Sequence, residues 1–260
     1  MSTAPIQRPA VPRRPGPWAS ALDRDTAMVL AGEEYARLAD LLAELSADEW
    51  RRPTECPAWD VRQMAGHCVG MAQMVTRVPE AARQLARAAL AARRSGRAQI
   101  DELTDLQVRE HADLPDPEVA AVMRTTGAAA VRGRRGFPKA IRAATFSDDS
   151  VGSREKWRVG YLVDTILTRD PWTHRGDICR ATGRELVLTA DHDGRIVDDV
   201  VTEWGLRHGR PFALTLTGPA GGHWQVGTGG EHLELDAVDF CRILSGRADG
   251  RGLLATRVPF

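Results

Sequence analysis

Apolar residues recur every three to four positions through the first two-thirds of the chain and at every second position in places near its end. Leu30, Tyr35, Leu38, Leu41, Leu42 and Leu45 share one helical face in the first segment. Ser46 and Glu49 have capping-box spacing, and Asp60 with Gln63 repeats the signal, so a short turn and then a helix are predicted. On that helix Val61, Met64, Ala65, Cys68, Met71, Ala72 and Val75 form one apolar stripe. At about 100° per residue, His67 falls on the edge of the stripe, about 40° from Met71. Residues 79–98 and 117–135, rich in alanine and arginine, predict two more helices joined by the polar segment HADLPDPE. SDDSVGS at 147–153 reads as a loop, after which Trp157, Tyr161, Leu162, Thr165 and Ile166 resume helical spacing towards a stop at Gly183. Four long helices around a shared core describe a bundle.

From about Arg184 the pattern changes. A helix around Gly194–His208 precedes FALTLT, where Phe212, Leu214 and Leu216 alternate as in a strand. Pro219 and the glycines after it supply a turn, and HWQVGTG is the expected partner strand. A strand at 233–235, a helix over Val238–Leu244 and a last strand near Leu253–Arg257 complete a small sheet-plus-helix domain. The expected fold class is therefore α plus α+β, a four-helix bundle over 18–183 followed by a small α+β domain over 184–260. Residues 1–17 hold five prolines and three arginines with no apolar stretch, the composition of a disordered tail and not of a signal peptide.

Composition narrows the function classes. A chain of 260 residues has room for two modest cores, and no apolar run approaches the ~18 residues of a membrane span. The 35 basic and 35 acidic residues balance, which argues against a general nucleic-acid or membrane-surface binder. The basic cluster Arg132, Arg134, Arg135, Lys139 and Arg142 then reads as a solvated face. Cys56, Cys68, Cys179 and Cys241 lie far apart with no Cys-x-x-Cys pair, as expected of free thiols in a cytoplasmic monomer or homodimer.

The residues that carry chemistry are His67 and, about a hundred positions later, Asp170 and His174 in RDPWTHRGD. Residues four apart on a helix point the same way, and two imidazoles with a carboxylate suit a divalent metal such as zinc. Each has another reading. His67 could be a buried neutral histidine bonded to a carbonyl. Asp170 precedes Pro171, the pattern of an N-cap followed by the first helical residue. Asp177 could orient His174 or be an exposed acid. Cys68 and Cys179 read as small buried hydrophobes. Arg247 could dock a substrate carboxylate or cap the preceding helix.

Several separated blocks carry a family resemblance. PTECPAWDVRQMAGHCVG resembles the signature of the DinB-like, mycothiol-dependent maleylpyruvate isomerase family, and TRDPWTHRGDICRATGR is similar to its later metal helix. LTLTGPAGGHWQVGTGG, DFCRILSGRADG and the closing RVPF resemble its sterol-carrier-like C-terminal domain, so the likeness runs from about residue 20 to the end. It implies a DinB-like metal-binding bundle with His67, Asp170 and His174 as ligands and mycothiol as thiol cosubstrate. The implied activity is that of a mycothiol-dependent isomerase or transferase acting on a small-molecule substrate, in which a thiolate adds to a small electrophile. Arg247, by its own chemistry and not by the resemblance, is the favoured residue for contact with that substrate. A metal-assisted hydrolase and a non-catalytic metal- or small-ligand-binding protein are the alternatives. One departure stands out: aspartate, followed by proline, occupies 170 where the isomerase is expected to carry glutamate.

Overall fold

The computed structural model describes residues 6–8 and 16–260. The chain divides into two compact units, one formed by Leu22–Ala144 and Val159–Leu186, the other by Thr145–Arg158 and Val187–Phe260 with the described residues before Leu22.

The first unit is helical. Its elements are α1 (Arg24–Glu44), α2 (Val61–Met74), α3 (Val78–Ser95), α4 (Gln99–Glu110), α5 (Asp116–Gly136), α6 (Lys139–Ala143), α7 (Val159–Tyr161), a π-helical turn (Leu162–Ile166) and α8 (Leu167–Thr182). Helices α1, α5, α2 and α8 pack in a ring, each against two of the others, while α4 lies on α2 and α3 on α4. Leu38, Leu42, Met64, Val69, Met123, Ala130, Leu167 and Ile178 fill the core. Every residue of the predicted α2 stripe except Met71 is buried, and so is His67.

Local chemistry sets the helix ends. Asp23 accepts the Thr26 N–H at 2.9 Å and opens α1. Asp60 and Gln63 form the reciprocal capping box of α2 at 2.8 and 2.9 Å. Ser46 and Glu49 do the same for the turn before it, with the Ser46 N–H 2.7 Å from Glu49 Oε2. Gly183 ends α8 at φ +76°, a left-handed position that glycine takes without strain. Helix α4 was not expected from the sequence. Its mostly polar surface hides a buried strip of Glu102, Leu103, Leu106 and Gln107.

The second unit holds β1 (Ile6–Arg8), the hairpin β2 (Thr145–Asp148) and β3 (Glu155–Arg158), then α9 (Asp193–His208), β4 (Phe212–Thr217), β5 (Gly222–Val226), β6 (Glu231–Asp236) and α10 (Ala237–Ser245). The larger sheet has strand order β1-β5-β4-β6, with β5 antiparallel and β6 parallel to β4. Its apolar face and α9 enclose Trp204, Phe212, Leu214 and Phe240.

Three sequence expectations are corrected here. The tail over 1–17 contains a strand at Ile6–Arg8, beside β5, while residues 1–5 and 9–15 lie outside the described residues. Helical spacing does not resume at Trp157, which lies on β3 and faces Phe146 of β2 with the rings 5.9 Å apart; the expected loop at 147–153 joins these strands, except that Ser147 and Asp148 end β2. The last strand near Leu253–Arg257 is a 3-10 turn over Gly252–Ala255, whose Leu253 carbonyl accepts the Trp204 indole N–H at 3.0 Å. Among the described residues no helix is long and apolar enough to cross a membrane.

Candidate metal centre

The turn before α2 places an aromatic ring beside His67. The Thr54 hydroxyl donates to the Trp59 carbonyl at 2.8 Å and accepts the Cys56 N–H at 3.2 Å, closing the Cys-Pro-Ala-Trp segment on itself. The Trp59 ring then lies 4.8 Å from the His67 ring and 6.3 Å from that of His174.

Asp170 and His174 come from α8, and their aim depends on an irregular helix. Pro171 lies inside α8 and has no N–H to give the Leu167 carbonyl. The Tyr35 hydroxyl at 3.3 Å and Arg134 Nη1 at 3.1 Å supply that carbonyl instead. Arg134 also donates through Nε to the Val163 carbonyl and through Nη2 to the Thr168 hydroxyl at 2.7 Å. Arg134 is wholly buried, so the solvated face expected for 132–142 is corrected at this residue. Arg142 leaves that face too, pairing with the buried Asp164. A buried guanidinium holds its charge only when its donors are matched, and the π turn offers a cluster of matching carbonyls.

The cap reading of Asp170 is corrected as well: Asp170 is the fourth residue of α8, past its start. Its Oδ1 stands 3.6 Å from His67 Nε2 and 3.5 Å from His174 Nε2. The two imidazoles meet edge to face with centroids 5.2 Å apart, and a ligand atom from each of the three residues lies within 4.8 Å of the others. Across a tetrahedral ion with bonds of ~2.0–2.1 Å, two donors stand about 3.4 Å apart, so the spacing fits such an ion. His67 Nδ1 is bonded to Gln107 Oε1 at 2.9 Å and His174 Nδ1 to Asp177 Oδ2 at 3.2 Å, which leaves both Nε2 atoms facing the carboxylate. Asp177 thus takes the orienting place the sequence offered it.

Charge is concentrated here. Burial pushes the Asp170 carboxyl up, but the neighbouring imidazoles of His174 and His67 outweigh it and hold the carboxyl far below the usual range. Burial alone lowers His174, but Asp170 and Asp177 raise it to about 9 in the metal-free protein. Beneath the cluster the buried pair Arg175–Glu34, 2.7 Å from Nε to Oε1, ties α8 to α1. Burial pushes the thiols of Cys68 and Cys179 up, and Cys241 is also buried.

Arg247 lies in the other unit. Its N–H bonds the Arg242 carbonyl at 2.9 Å after Gly246 ends α10 at φ +92°, so backbone groups close that helix. Its side chain lines a groove of about 430 Å³ with Arg257, Leu244 and Phe260. Gln107 and Gln84 are not among the residues the sequence singles out, and Arg134 appears there only within the basic cluster. The available signal for Gln107 was its place four residues after Leu103 on the buried side of α4.

A ring of four helices carrying two inward histidines and an aspartate defines a helical-bundle protein with a metal-type donor set. The match to the family model "Mycothiol maleylpyruvate isomerase N-terminal domain" over residues 31–179 makes the relationship specific, and the chain belongs to that family. Two solved structures share the fold. The mycothiol-dependent maleylpyruvate isomerase is 14% identical with a TM-score of 0.53, over 88% of this chain and 92% of that one. A histidine-to-alanine variant of such an isomerase is 13% identical with a TM-score of 0.52, over 87% and 90%. Among curated proteins none matches.

Proposed function

We propose that the chain is a mycothiol-dependent enzyme that holds a divalent metal, zinc by its donor set, at His67, Asp170 and His174 and promotes thiol addition to a small electrophilic substrate in the cytoplasm. The observation that carries this reading is the convergence of both Nε2 atoms on one Asp170 oxygen at 3.6 and 3.5 Å in a member of this family. A divalent ion with an open position supplies Lewis acidity, which lowers the pKa of a thiol brought to it. His67 and His174 would hold the ion through Nε2, and Asp170 would supply the negative charge. Trp59, half-buried beside both rings, keeps water from one side. The described cysteines support a nucleophile from solution, because three of the four are buried and the fourth is half-buried. Arg247 is the candidate catalytic residue for a substrate carboxylate, on the strength of its place beside Arg257 in the second-unit groove.

Isomerase and transferase share the thiol-addition step and differ in whether the thiol leaves again. The deciding assay incubates the protein with maleylpyruvate and with a panel of simple electrophiles, each with and without mycothiol. Turnover that requires mycothiol and survives single replacement of Cys56, Cys68, Cys179 and Cys241 is expected. Thiol-independent turnover, or its loss in one folded cysteine variant, would overturn the reading in favour of a hydrolase or a cysteine enzyme. Arg247→Ala is expected to lower turnover while leaving metal content unchanged.

A further inference from the structure

His67 is bonded on its far side to a glutamine, and that glutamine is one link in a buried chain of carboxamides. Gln107 and Gln84 have no exposed surface. Gln107 Nε2 lies 3.0 Å from Gln84 Oε1 and 3.1 Å from Met71 Sδ. Gln84 Nε2 lies 3.2 Å from the Gly70 carbonyl and 2.9 Å from Glu80 Oε1. The chain therefore runs from α3 through α4 to α2, with every amide group matched, as burial demands.

A carboxamide can ordinarily be turned end for end. Here the far end removes that freedom. The Gly70 carbonyl can only accept, and Glu80 stays an ionised acceptor because Arg83 sits on it at 2.6 and 2.9 Å and holds its carboxyl below the usual range. Gln84 must then present its NH2 group to them and its oxygen to Gln107. Gln107 must in turn present its NH2 group to Gln84 and its oxygen to His67. The ring atom facing that oxygen, Nδ1, has to carry a proton, so in the neutral ring the lone pair is on Nε2, 3.6 Å from Asp170 Oδ1.

The backbone is shaped for this contact. A Cβ at Gly70 would stand 2.5 Å from Gln107 Cβ and 2.6 Å from its Cγ, so glycine is what lets α4 bring Gln107 alongside α2, one turn from His67. Asp177 offers His174 a carboxylate, whereas His67 receives a neutral carboxamide whose direction is set at the far side of a second carboxamide, by the Gly70 carbonyl and Glu80.

We propose that Gln107, oriented by Gln84, is a positioning residue that fixes His67 as the Nδ1–H tautomer and so points the Nε2 lone pair at a divalent cation. The proposal rests on the metal reading above, and its test separates the two. In metal-free, full-length protein labelled with 15N-histidine, long-range proton–nitrogen correlation spectra under mildly alkaline conditions report the tautomer of His67, assigned by the signal lost in His67→Ala. Zinc affinity is measured in parallel by competition with a chromophoric chelator.

The wild type is expected to show only the Nδ1–H form. Gln107→Leu is expected to admit the other tautomer and to weaken zinc binding by about 10–100-fold. Gln107→Glu keeps an acceptor towards Nδ1 and is expected to retain the Nδ1–H tautomer, although the Gln84 oxygen loses its donor. Should Gln107→Leu fail to fold, Gln84→Leu, one link further away, is expected to shift the same two readouts in the same direction by less. A single Nδ1–H tautomer with unchanged affinity in a folded Gln107→Leu or Gln84→Leu protein would overturn the proposal. Equal loss of the Nδ1–H tautomer in the Leu and Glu variants would overturn it too, by making Gln107 a packing residue. If the wild type takes up no zinc, the metal reading falls, while the tautomer spectra of the metal-free protein still decide the role of Gln107.

Discussion

Helices α2 and α8 each bring a histidine to the same point, yet they are built in opposite ways. α2 is regular, and its start is defined within four residues by the Asp60–Gln63 capping box. α8 follows a π turn, contains Pro171 and takes its missing bonds from Arg134 and Tyr35, which lie 33 and 132 positions away from Leu167. One helix is specified locally, the other by a side chain delivered from across the bundle. The helix backbone that carries Asp170 and His174 depends on long-range packing, whereas the backbone that carries His67 does not and only the His67 ring takes a distant partner, Gln107.

The comparison is broken most directly at Arg134. Replacing Arg134 with leucine takes the donor from the Val163 carbonyl and one of two donors from the Leu167 carbonyl, where an unsatisfied buried group costs ~1–3 kcal/mol, so a loss of about 2 kcal/mol or more in unfolding free energy is expected. Asp60→Ala removes only a cap and is expected to cost about 1 kcal/mol. Denaturant melts of the two variants check the ranking, and equal losses would mean that α8 does not depend on its distant partner as described.

A smaller effect sharpens the same contrast at the turn before α2. Glu49 is bonded to Arg184 from the segment after α8 at 2.7 Å as well as to Ser46, and these bonds lower its carboxyl to about 2. A depressed folded-state pKa means that the contribution is complete above the unfolded value of about 4.3 and is lost as pH falls through about 2. The pair is solvent-screened, so the change in midpoint is small. Thermal melts across that acid range should show a shallower decline for Glu49→Gln than for the wild type, and parallel curves would remove Glu49 from the acid response.

This division also explains what could be read from the sequence. The caps, the α2 stripe, the stop at Gly183, the strand FALTLT and the helix of DFCRILS follow local rules, and the family blocks pointed to His67, Asp170 and His174. Arg134 was read as solvated because charge near Arg132 and Arg135 resembles any exposed helix face, and nothing within 132–142 announces the π turn that accepts it. Asp170-Pro171 imitates a helix start, since the donor that replaces the missing N–H belongs to another helix. The hairpin of β2 and β3 depends on the pairing of Phe146 with Trp157 across a loop rich in polar residues. Gln107 was hidden in a helix whose mostly polar composition masks its narrow buried side.

The central claim is that His67, Asp170 and His174 hold one divalent ion. Calorimetric titration of the chelator-treated full chain with zinc, repeated at several pH values, tests it most directly. One ion per chain is expected, with affinity increasing as pH rises towards about 9, because His174 carries a proton in the metal-free protein that a cation has to displace. His67→Ala and His174→Ala are each expected to abolish that uptake in folded protein. Absence of zinc binding by the wild type, or binding that both alanine variants retain, would contradict the account.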